Sequence, residues 1–194
     1  MQNDSLVVIK NDINLIKSLY EALLNILPSF NVTDSKILPY GLKPHTRSVS
    51  WLVEQVINQQ SKYHKDKLNI DTPDTCLHDC EIQIGKKIYY INIKIHNILG
   101  KENKNDIAAV EKLYFQYTAN ENYNLLYACF GIHFAGINIS FDKNYLQIFS
   151  PQFMPIYVNP RNDKIQATYH HKIIERSRKE FLELLKINSK SIKL

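Results

Sequence analysis

Polar side chains recur at every second position in residues 79–84 and again in residues 90–96, with apolar residues between them. The polar set is Asp79, Glu81 and Gln83 in the first stretch and Tyr90, Asn92, Lys94 and His96 in the second. Because strand side chains point alternately to two faces, this period of two predicts a β-hairpin with its polar groups on one face. Gly85 and the two lysines after it supply the turn. Carboxylates, an amide and a lysine on one sheet face are groups that bind a divalent cation and a phosphate.

Two flanking segments carry further candidate groups. Residues 46–62 have an apolar stripe at helical spacing, which predicts a helix with Glu54 beside the stripe rather than on its solvated side. Residues 104–112 (Lys-Asn-Asp-Ile-Ala-Ala-Val-Glu-Lys) predict a second helix, with Asp106 as its N-cap and an end at about Tyr117. A glutamate beside an apolar stripe fits a cleft and also fits a surface position, so spacing alone leaves both interpretations open.

Residues 40–120 together resemble the core of the PD-(D/E)XK nucleases, the fold of many type II restriction endonucleases. In that family an aspartate opens one strand, and an acidic residue and a lysine two positions apart lie on the neighbouring strand. These groups hold Mg²⁺ and water against the scissile phosphate. The resemblance matches Asp79 to the aspartate and Lys94 to the lysine, whereas Asn92 occupies the middle acidic position.

Asn92 is the departure from the family pattern. An amide carbonyl can bind a hard cation but brings no charge, so metal affinity should fall unless another carboxylate compensates. Glu81 is the nearest candidate, and the resemblance adds Glu54, because these nucleases often carry a further glutamate on the upstream helix. Asp74, in a turn-like Pro-Asp dipeptide, is the second choice for the aspartate after Asp79. The resemblance thus implies the catalytic residues Asp79, Asn92, Lys94 and Glu54, and the metal ligands Asp79, Glu81, Asn92 and Glu54.

The order of predicted elements gives a mixed α/β fold, in which one central mixed β-sheet is flanked by helices as in the restriction endonucleases. A length of 194 residues with 44% hydrophobic content predicts one domain over residues 1–194, and the resemblance implies that it is a nuclease domain. Its catalytic core would be residues 40–120, and residues 121–194 would complete the sheet and contact DNA. The resemblance implies a Mg²⁺-dependent type II restriction endonuclease that cleaves duplex DNA at a short specific site without an organic cofactor.

Three alternatives stay open at this point. A DNA-repair or junction-resolving nuclease would use the same fold. A catalytically decayed DNA-binding protein would explain the neutral Asn92. A hairpin whose charges only solvate one sheet face needs no ligand at all.

The formal net charge of +5 lies entirely in residues 159–194, which contain nine basic and four acidic residues. Such clustering suits contacts with phosphate groups, although a solvated helix and tail produce it as often. The candidate DNA-binding residues are Arg161, Lys164, His170, His171, Lys172 and Asn105. Because a two-fold symmetric dimer cuts both strands of a palindromic site most simply, we expect a homodimer on double-stranded DNA.

The first residues do not show the basic segment and the apolar segment of a signal peptide. No apolar run approaches the ~20 residues of a membrane span. We therefore expect a cytoplasmic protein that does not contact a membrane. The odd number of cysteines (Cys76, Cys80 and Cys129) favours reduced thiols. Structural zinc needs four ligands, and no second pair of suitable spacing accompanies these cysteines.

Apolar periodicity and turn residues predict the other elements. A first helix should run from Asp12, as N-cap, to about Leu27, and a last helix from about Tyr169 to Ile187. Strands are predicted at 124–130, 132–141, 145–149 and 155–158, with residues 142–144 as a hairpin turn. Trp51 is expected in the core. The last helix is expected to bury Ile173, Ile174, Phe181, Leu184 and Leu185.

Overall fold

The computed structural model describes residues 2–42, 49–64, 80–101, 105–168, 171–190 and 192. Within these residues the helices are α1 (Gln2–Ile26), α2 (Ser50–Tyr63), α3 (Val110–Ala119) and α4 (Arg178–Asn188). The strands are β1 (Phe30–Asn31), β2 (Cys80–Ile84), β3 (Lys87–Asn97), β4 (Asn105–Ala109), β5 (Tyr123–Ala135), β6 (Asn138–Phe149), β7 (Tyr157–Asn159) and β8 (Lys164–Ala167). A short 3₁₀-helix covers Pro151–Phe153.

The strands form two sheets. The larger sheet has the order β1-β6-β5-β3-β2, in which β3 and β5 run parallel and the other neighbouring strands run antiparallel. The smaller sheet is antiparallel, with the order β4-β8-β7. β2 and β3 form the predicted hairpin, with Glu81 opposite Tyr90. The prediction of a mixed α/β fold with a central mixed sheet and flanking helices is therefore confirmed.

Hydrophobic cores cover both faces of the larger sheet. On one face α1 and α2 pack against odd-numbered residues of β3, among them Ile91 and Ile93. On the other face α3, α4 and the smaller sheet pack against Tyr127 and other odd-numbered residues of β5. β5 is buried on both sides over most of its length, as its nearly continuous apolar sequence predicts.

The predicted start of the first helix is wrong. α1 already begins at Gln2, so Asp12 lies in the middle of the helix instead of at its N-cap. Asp12 is only 8% exposed, and its carboxylate accepts a hydrogen bond from the Tyr89 hydroxyl and lies 3.5 Å from the Lys87 ammonium. A buried carboxylate requires such partners. The Asp12 side chain, predicted to be a helix N-cap, therefore links α1 to β3.

The predicted helix start at Asp106 is also wrong. Asp106 belongs to strand β4, and α3 begins only at Val110, with Ala109 as its N-cap residue. The Asp106 carboxylate instead accepts hydrogen bonds from side chains of the β7–β8 hairpin. These tertiary partners replace the helix N–H groups that an N-cap would bind.

The hairpin turn between β5 and β6 lies at Gly136 and Ile137, not at residues 142–144 as predicted. Gly136 has a φ of 65°, a backbone conformation that favours glycine. Residues 142–144 lie inside β6, where the register with β5 shifts. Lys143 at this irregularity donates to the carbonyls of Leu24 and Leu27 at the end of α1. The polar run therefore marks a bulge that caps a helix rather than a chain reversal.

The last helix is shorter than predicted, since it begins at Arg178 and not near residue 169. Ser177 and Glu180 form a capping box at its start, a local signal for a helix N-terminus. Ile173 and Ile174, in the extended segment before it, are 67% and 36% exposed, so their assignment to the core is wrong. Within the helix, Phe181 and Leu185 are buried as predicted and Leu184 is half-buried.

Trp51 does not lie in the core but is 71% exposed, because α2 buries a different side through Val53 and Ile57. Cys80 and Cys129 are buried free thiols, and the Tyr20 hydroxyl lies 2.6 Å from the Cys80 sulfur. Cys76 lies outside the described residues. None of the helices in the described part of the chain is long and apolar enough to cross a membrane.

Candidate functional site

Asn92 and Lys94 lie on the same face of β3, as the period of two predicts. Ile93 between them and the neighbouring Ile91 and Ile95 point into the core beneath α1 and α2, so the row of Asn92 and Lys94 points to the opposite face of the sheet. In the parallel pairing, Asn92 is level with Tyr127 of β5 and Lys94 is level with Cys129. Both polar side chains are half-buried. A cation and an amide therefore sit side by side between the larger sheet and the elements that cover it.

Tyr127 fixes the surroundings of Lys94. The Lys94 ammonium nitrogen lies 5.9 Å from the centre of the Tyr127 ring, within the range of a cation–π contact. The Tyr127 hydroxyl donates a 2.8 Å hydrogen bond to the Ile107 carbonyl of β4, and its ring stacks on Phe149 with centroids 5.3 Å apart. Strand β4 of the smaller sheet is thereby held over the row that contains Lys94.

Glu81 joins this face from the neighbouring strand. It pairs with Tyr90, so it is a diagonal neighbour of Asn92, and such positions lie about 7–8 Å apart across an antiparallel pair. Burial and then the negative charge of Glu81 raise the pKa of the Tyr90 hydroxyl. The predicted placement of Glu81, Asn92 and Lys94 on one sheet face is confirmed.

Glu54 is not on that face. It lies on α2, whose buried residues Val53 and Ile57 belong to the core on the other side of the larger sheet. Glu54 is half-buried and follows Val53 directly. The helix that carries Glu54 therefore packs on the side of the larger sheet opposite the row of Asn92 and Lys94, and the part of Glu54 in metal binding stays a prediction.

The aspartates proposed as metal ligands, Asp79 and Asp74, lie outside the described residues. Among the described residues, no group of three or more histidine, cysteine, aspartate or glutamate side chains could hold a metal ion. Glu81 and Asn92 offer the oxygen ligands that Mg²⁺ prefers, but they contribute one negative charge between them. The ligand type fits the ion, whereas firm binding requires a further carboxylate besides Glu81.

A second polar cluster surrounds Asp106 on the smaller sheet. Its carboxylate accepts hydrogen bonds from Asn159 Nδ2 at 3.3 Å, Asn162 Nδ2 at 2.6 Å and Gln166 Nε2 at 2.9 Å. Burial opposes ionisation, but these three hydrogen bonds and the charge of Lys164 outweigh it and lower the pKa of Asp106. One ionised carboxylate thus holds three amide side chains at the β7–β8 hairpin.

The candidate DNA-binding residues fall into two groups. Arg161, Lys164 and Asn105 are exposed on the smaller sheet and its turn. His171 and the exposed Lys172 lie in the segment before α4. The centroids of the His171 and Phe149 rings are 5.1 Å apart. His171 Nδ1 is 3.0 Å from the Thr168 carbonyl oxygen. His170 lies outside the described residues.

No protein-family model matches the sequence, and no curated protein matches it either. The fold is similar to that of the NlaIV restriction endonuclease. The TM-score is 0.50 with 12% sequence identity, and the alignment covers 72% of this chain. It covers 66% of the NlaIV chain, so this protein spans slightly less than two thirds of that enzyme. The protein thus has a restriction-endonuclease-like fold, as the sequence predicted, whereas the Asn-Ile-Lys motif and its metal stay predictions.

The restriction-endonuclease-like sheet brings further polar residues near Lys94 that the sequence did not single out as a group. Gln147 of β6 is level with Cys129, which is in turn level with Lys94. His96 continues the polar row of β3 and stacks on Tyr145, with ring centroids 5.3 Å apart. The period of two already placed His96 on this face. Gln147 and Tyr145 could be found only from the strand order, because they are remote in sequence.

Proposed function

We propose that this protein is a Mg²⁺-dependent endonuclease that hydrolyses duplex DNA at a short specific site, as a type II restriction enzyme does. The observation that carries the proposal is the row of Asn92 and Lys94, with Glu81 beside it, on one sheet face of a restriction-endonuclease-like fold. Oxygen ligands next to an ammonium group are the chemistry required for metal-assisted hydrolysis of a phosphodiester.

Lys94 is the proposed catalytic cation. Its ammonium group, half-buried beside Tyr127, would orient the attacking water or stabilise the negative charge that develops on the phosphoryl oxygens. A fixed charge acts more strongly in a partly desolvated site than in open water. In-line attack would leave a 5′-phosphate and a 3′-hydroxyl.

Asp79, Glu81 and Asn92 are the proposed metal ligands, and Glu54 is a further candidate. Mg²⁺ held by these oxygens would supply Lewis-acid chemistry, which polarises the phosphate and makes water more acidic. Glu81 brings a charge and Asn92 only a neutral oxygen, so firm binding requires a second carboxylate. Asp79 is proposed for that position, with Asp74 as the alternative.

The test is incubation of the purified protein with phage DNA, with and without Mg²⁺. Discrete fragments that appear only with Mg²⁺ support site-specific restriction, and a smear supports a nuclease without a fixed site. DNA that is bound and left intact, together with no calorimetric signal for Mg²⁺, would contradict the proposal. That result would favour a catalytically decayed DNA-binding protein.

A further inference from the structure

The β7–β8 hairpin presents a polar outer face. Across the paired strands, Tyr157 lies opposite Gln166 and Asn159 lies opposite Lys164. The alternate residues Ile165 and Ala167 are buried in the core beneath the smaller sheet, so the first four side chains face outward. The hairpin therefore forms two strands of the three-stranded smaller sheet, with one face packed on the core and the other face open.

Asp106 of the neighbouring strand β4 holds this hairpin in one conformation. It accepts hydrogen bonds from the amide nitrogens of Asn159, Asn162 and Gln166. The two asparagines use their oxygens as well, since Asn159 Oδ1 accepts from the Arg161 N–H at 3.1 Å and Asn162 Oδ1 from the Lys164 N–H at 3.2 Å. Both ends of each amide are thus engaged, and the turn is tied to strand β4.

The C-terminal end of α4 holds the same turn from another direction. Asp163 has a φ of 52°, a strained conformation for a residue other than glycine. Its carboxylate accepts hydrogen bonds from the Ser189 hydroxyl at 2.7 Å and the Lys190 N–H at 3.3 Å. Restraint from β4 and from α4 fixes the turn before any ligand binds, which lowers the entropic cost of binding.

Arg161 projects from the tip of this fixed turn. It is exposed, and within the described parts of the chain its guanidinium makes no hydrogen bond or ion pair. A guanidinium can bind both guanine acceptors in the major groove, and Arg161 lies in the exposed turn that the hairpin would present to that groove. The exposed Lys164 on the same hairpin suits a phosphate oxygen.

The hairpin is also joined to the row that contains Lys94. The Tyr127 hydroxyl, whose ring lies under the Lys94 ammonium group, binds the carbonyl of Ile107. Ile107 directly follows Asp106 in β4. A duplex that places a phosphate at Lys94 would therefore lie on the side of the molecule that carries the smaller sheet.

We propose that the β7–β8 hairpin is the element that reads base edges in the major groove of duplex DNA. Arg161 reads a guanine, and Asp106 is a positioning residue that fixes the turn carrying Arg161. The inference rests on the proposed function, because it takes duplex DNA as the ligand. It adds the element and the residues that determine sequence preference.

The experiment selects bound molecules from a pool of DNA duplexes with a randomised centre, without Mg²⁺, so that cleavage plays no part. The wild-type protein should enrich one motif that contains guanine. Arg161→Lys keeps the charge but not the two-pronged hydrogen bonding. It should lose about 5- to 150-fold preference for one guanine, while affinity for unselected DNA stays unchanged.

Asp106→Ala should weaken preference at several positions, because it releases the whole turn. Thermal denaturation shows whether the Asp106→Ala variant is folded. If it is not folded, the Arg161→Lys variant alone tests the inference. Lys36→Ala, at an exposed lysine after β1, is the control and should retain the wild-type motif. Duplex RNA should not compete, since its deep, narrow major groove cannot be read by side chains.

Two results would overturn the inference, namely an unchanged motif in Arg161→Lys or equal competition by duplex RNA. The proposed function is judged separately by cleavage of phage DNA. If the wild-type protein cuts at a specific site and the hairpin variants keep its sequence preference, the inference is wrong and the proposed nuclease function stands. Motif changes in a protein that never cuts support the inference and contradict the nuclease.

Discussion

Lys94 is half-buried, and its ammonium nitrogen lies 5.9 Å from the centre of the Tyr127 ring. A cation–π contact of this kind contributes about 1 kcal/mol or less to stability. Stabilisation of a developing phosphoryl charge is worth far more to a reaction rate. The two roles therefore make different predictions for the loss of the ammonium group.

Lys94→Ala should reduce DNA cleavage by at least about 10²-fold, while the free energy of unfolding changes by less than about 1 kcal/mol. Initial cleavage rates and urea denaturation measure the two quantities, and filter binding should show that DNA is still bound. Lys36→Ala serves as the matched control. Turnover of the Lys94 variant at the wild-type rate would remove this residue from the mechanism.

Asn92→Asp should tighten Mg²⁺ binding, because it adds a negative charge next to Glu81 without changing the shape of the side chain. The variant should fold normally, and cleavage should be retained or shifted to another divalent ion. Titration calorimetry with Mg²⁺ measures the affinity. An unchanged affinity would place Asn92 outside the metal coordination.

Asp79→Asn should abolish cleavage and remove the Mg²⁺-dependent gain in DNA affinity, because it takes a charge from the proposed ion site. Asp74→Asn is the matched comparison, with the same chemical change in the competing aspartate. Gel-shift titrations with and without Mg²⁺ report the gain. An active Asp79 variant beside an inactive Asp74 variant would reverse the assignment.

At the scale of elements, Asp12 joins α1 to β3 through the Tyr89 hydroxyl. The Asp12→Asn and Tyr89→Phe variants should each be destabilised, and the double variant should show a coupling of about 1–3 kcal/mol in urea denaturation. Ile88→Val, at a half-buried position beside this contact, is a control that leaves the pair intact. Strict additivity of the two losses would show that the contact contributes nothing.

The same contact gives a pH dependence. Burial, and then the hydrogen bond to Asp12, raises the pKa of Tyr89 above its ordinary value of about 10. The folded protein therefore holds this proton more tightly than the unfolded chain. The corresponding stability is present below about pH 10 and is lost as the pH rises above it. Tyr89→Phe should remove this part of the loss of folding stability at alkaline pH.

Elements with a regular sequence period were predictable, and those decided by distant partners were not. The β2–β3 hairpin and the buried strand β5 follow from alternation and from a continuous apolar run. Asp12 and Asp106 carry the residue type of an N-cap, but side chains far away in the sequence bind their carboxylates. Residues 142–144 resemble a turn and instead form a bulge that caps α1.

The candidate site was predictable only along a single hairpin. The sequence placed Glu81, Asn92 and Lys94 on one face, because alternation within two adjacent strands decides it. It did not place Glu54, since the face of the sheet that α2 covers depends on tertiary packing. The nearness of Tyr127 to Lys94 depends on the parallel pairing of β3 with β5, which no local pattern encodes.

At the scale of the whole molecule, the exposed basic residues predict how binding responds to salt. Lys164 and Lys172 are both exposed, and each lysine that contacts a phosphate releases a counterion from DNA. Lys164→Ala and Lys172→Ala should weaken binding to every duplex and should each lower the slope of log affinity against log salt by about one unit. Fluorescence anisotropy across a salt series measures the slope.

A separate sedimentation measurement tests the assembly. A two-fold symmetric site on DNA favours two copies of the chain, so we expect two protomers per duplex in sedimentation experiments. Lys36→Ala is again the control. Lys36 lies in the loop after β1, and β1 is an edge strand of the larger sheet. One protomer per duplex, with unchanged slopes in both lysine variants, would contradict the proposed homodimer and its phosphate contacts.

The parallel pairing of β3 with β5 bears on the order in which the molecule folds. Ten consecutive positions of β3, from Ile88 to Asn97, pair with β5, and the chain between the two strands forms β4 and α3. Two parallel strands cannot be joined by a tight turn, so the long connection through β4 and α3 must be ordered as β3 and β5 pair. The β2–β3 hairpin needs only its own short turn and can form early. We therefore expect Lys94 to meet Tyr127 late in folding, and a chain that ends before β5 would carry the polar row of β3 without the Tyr127 ring.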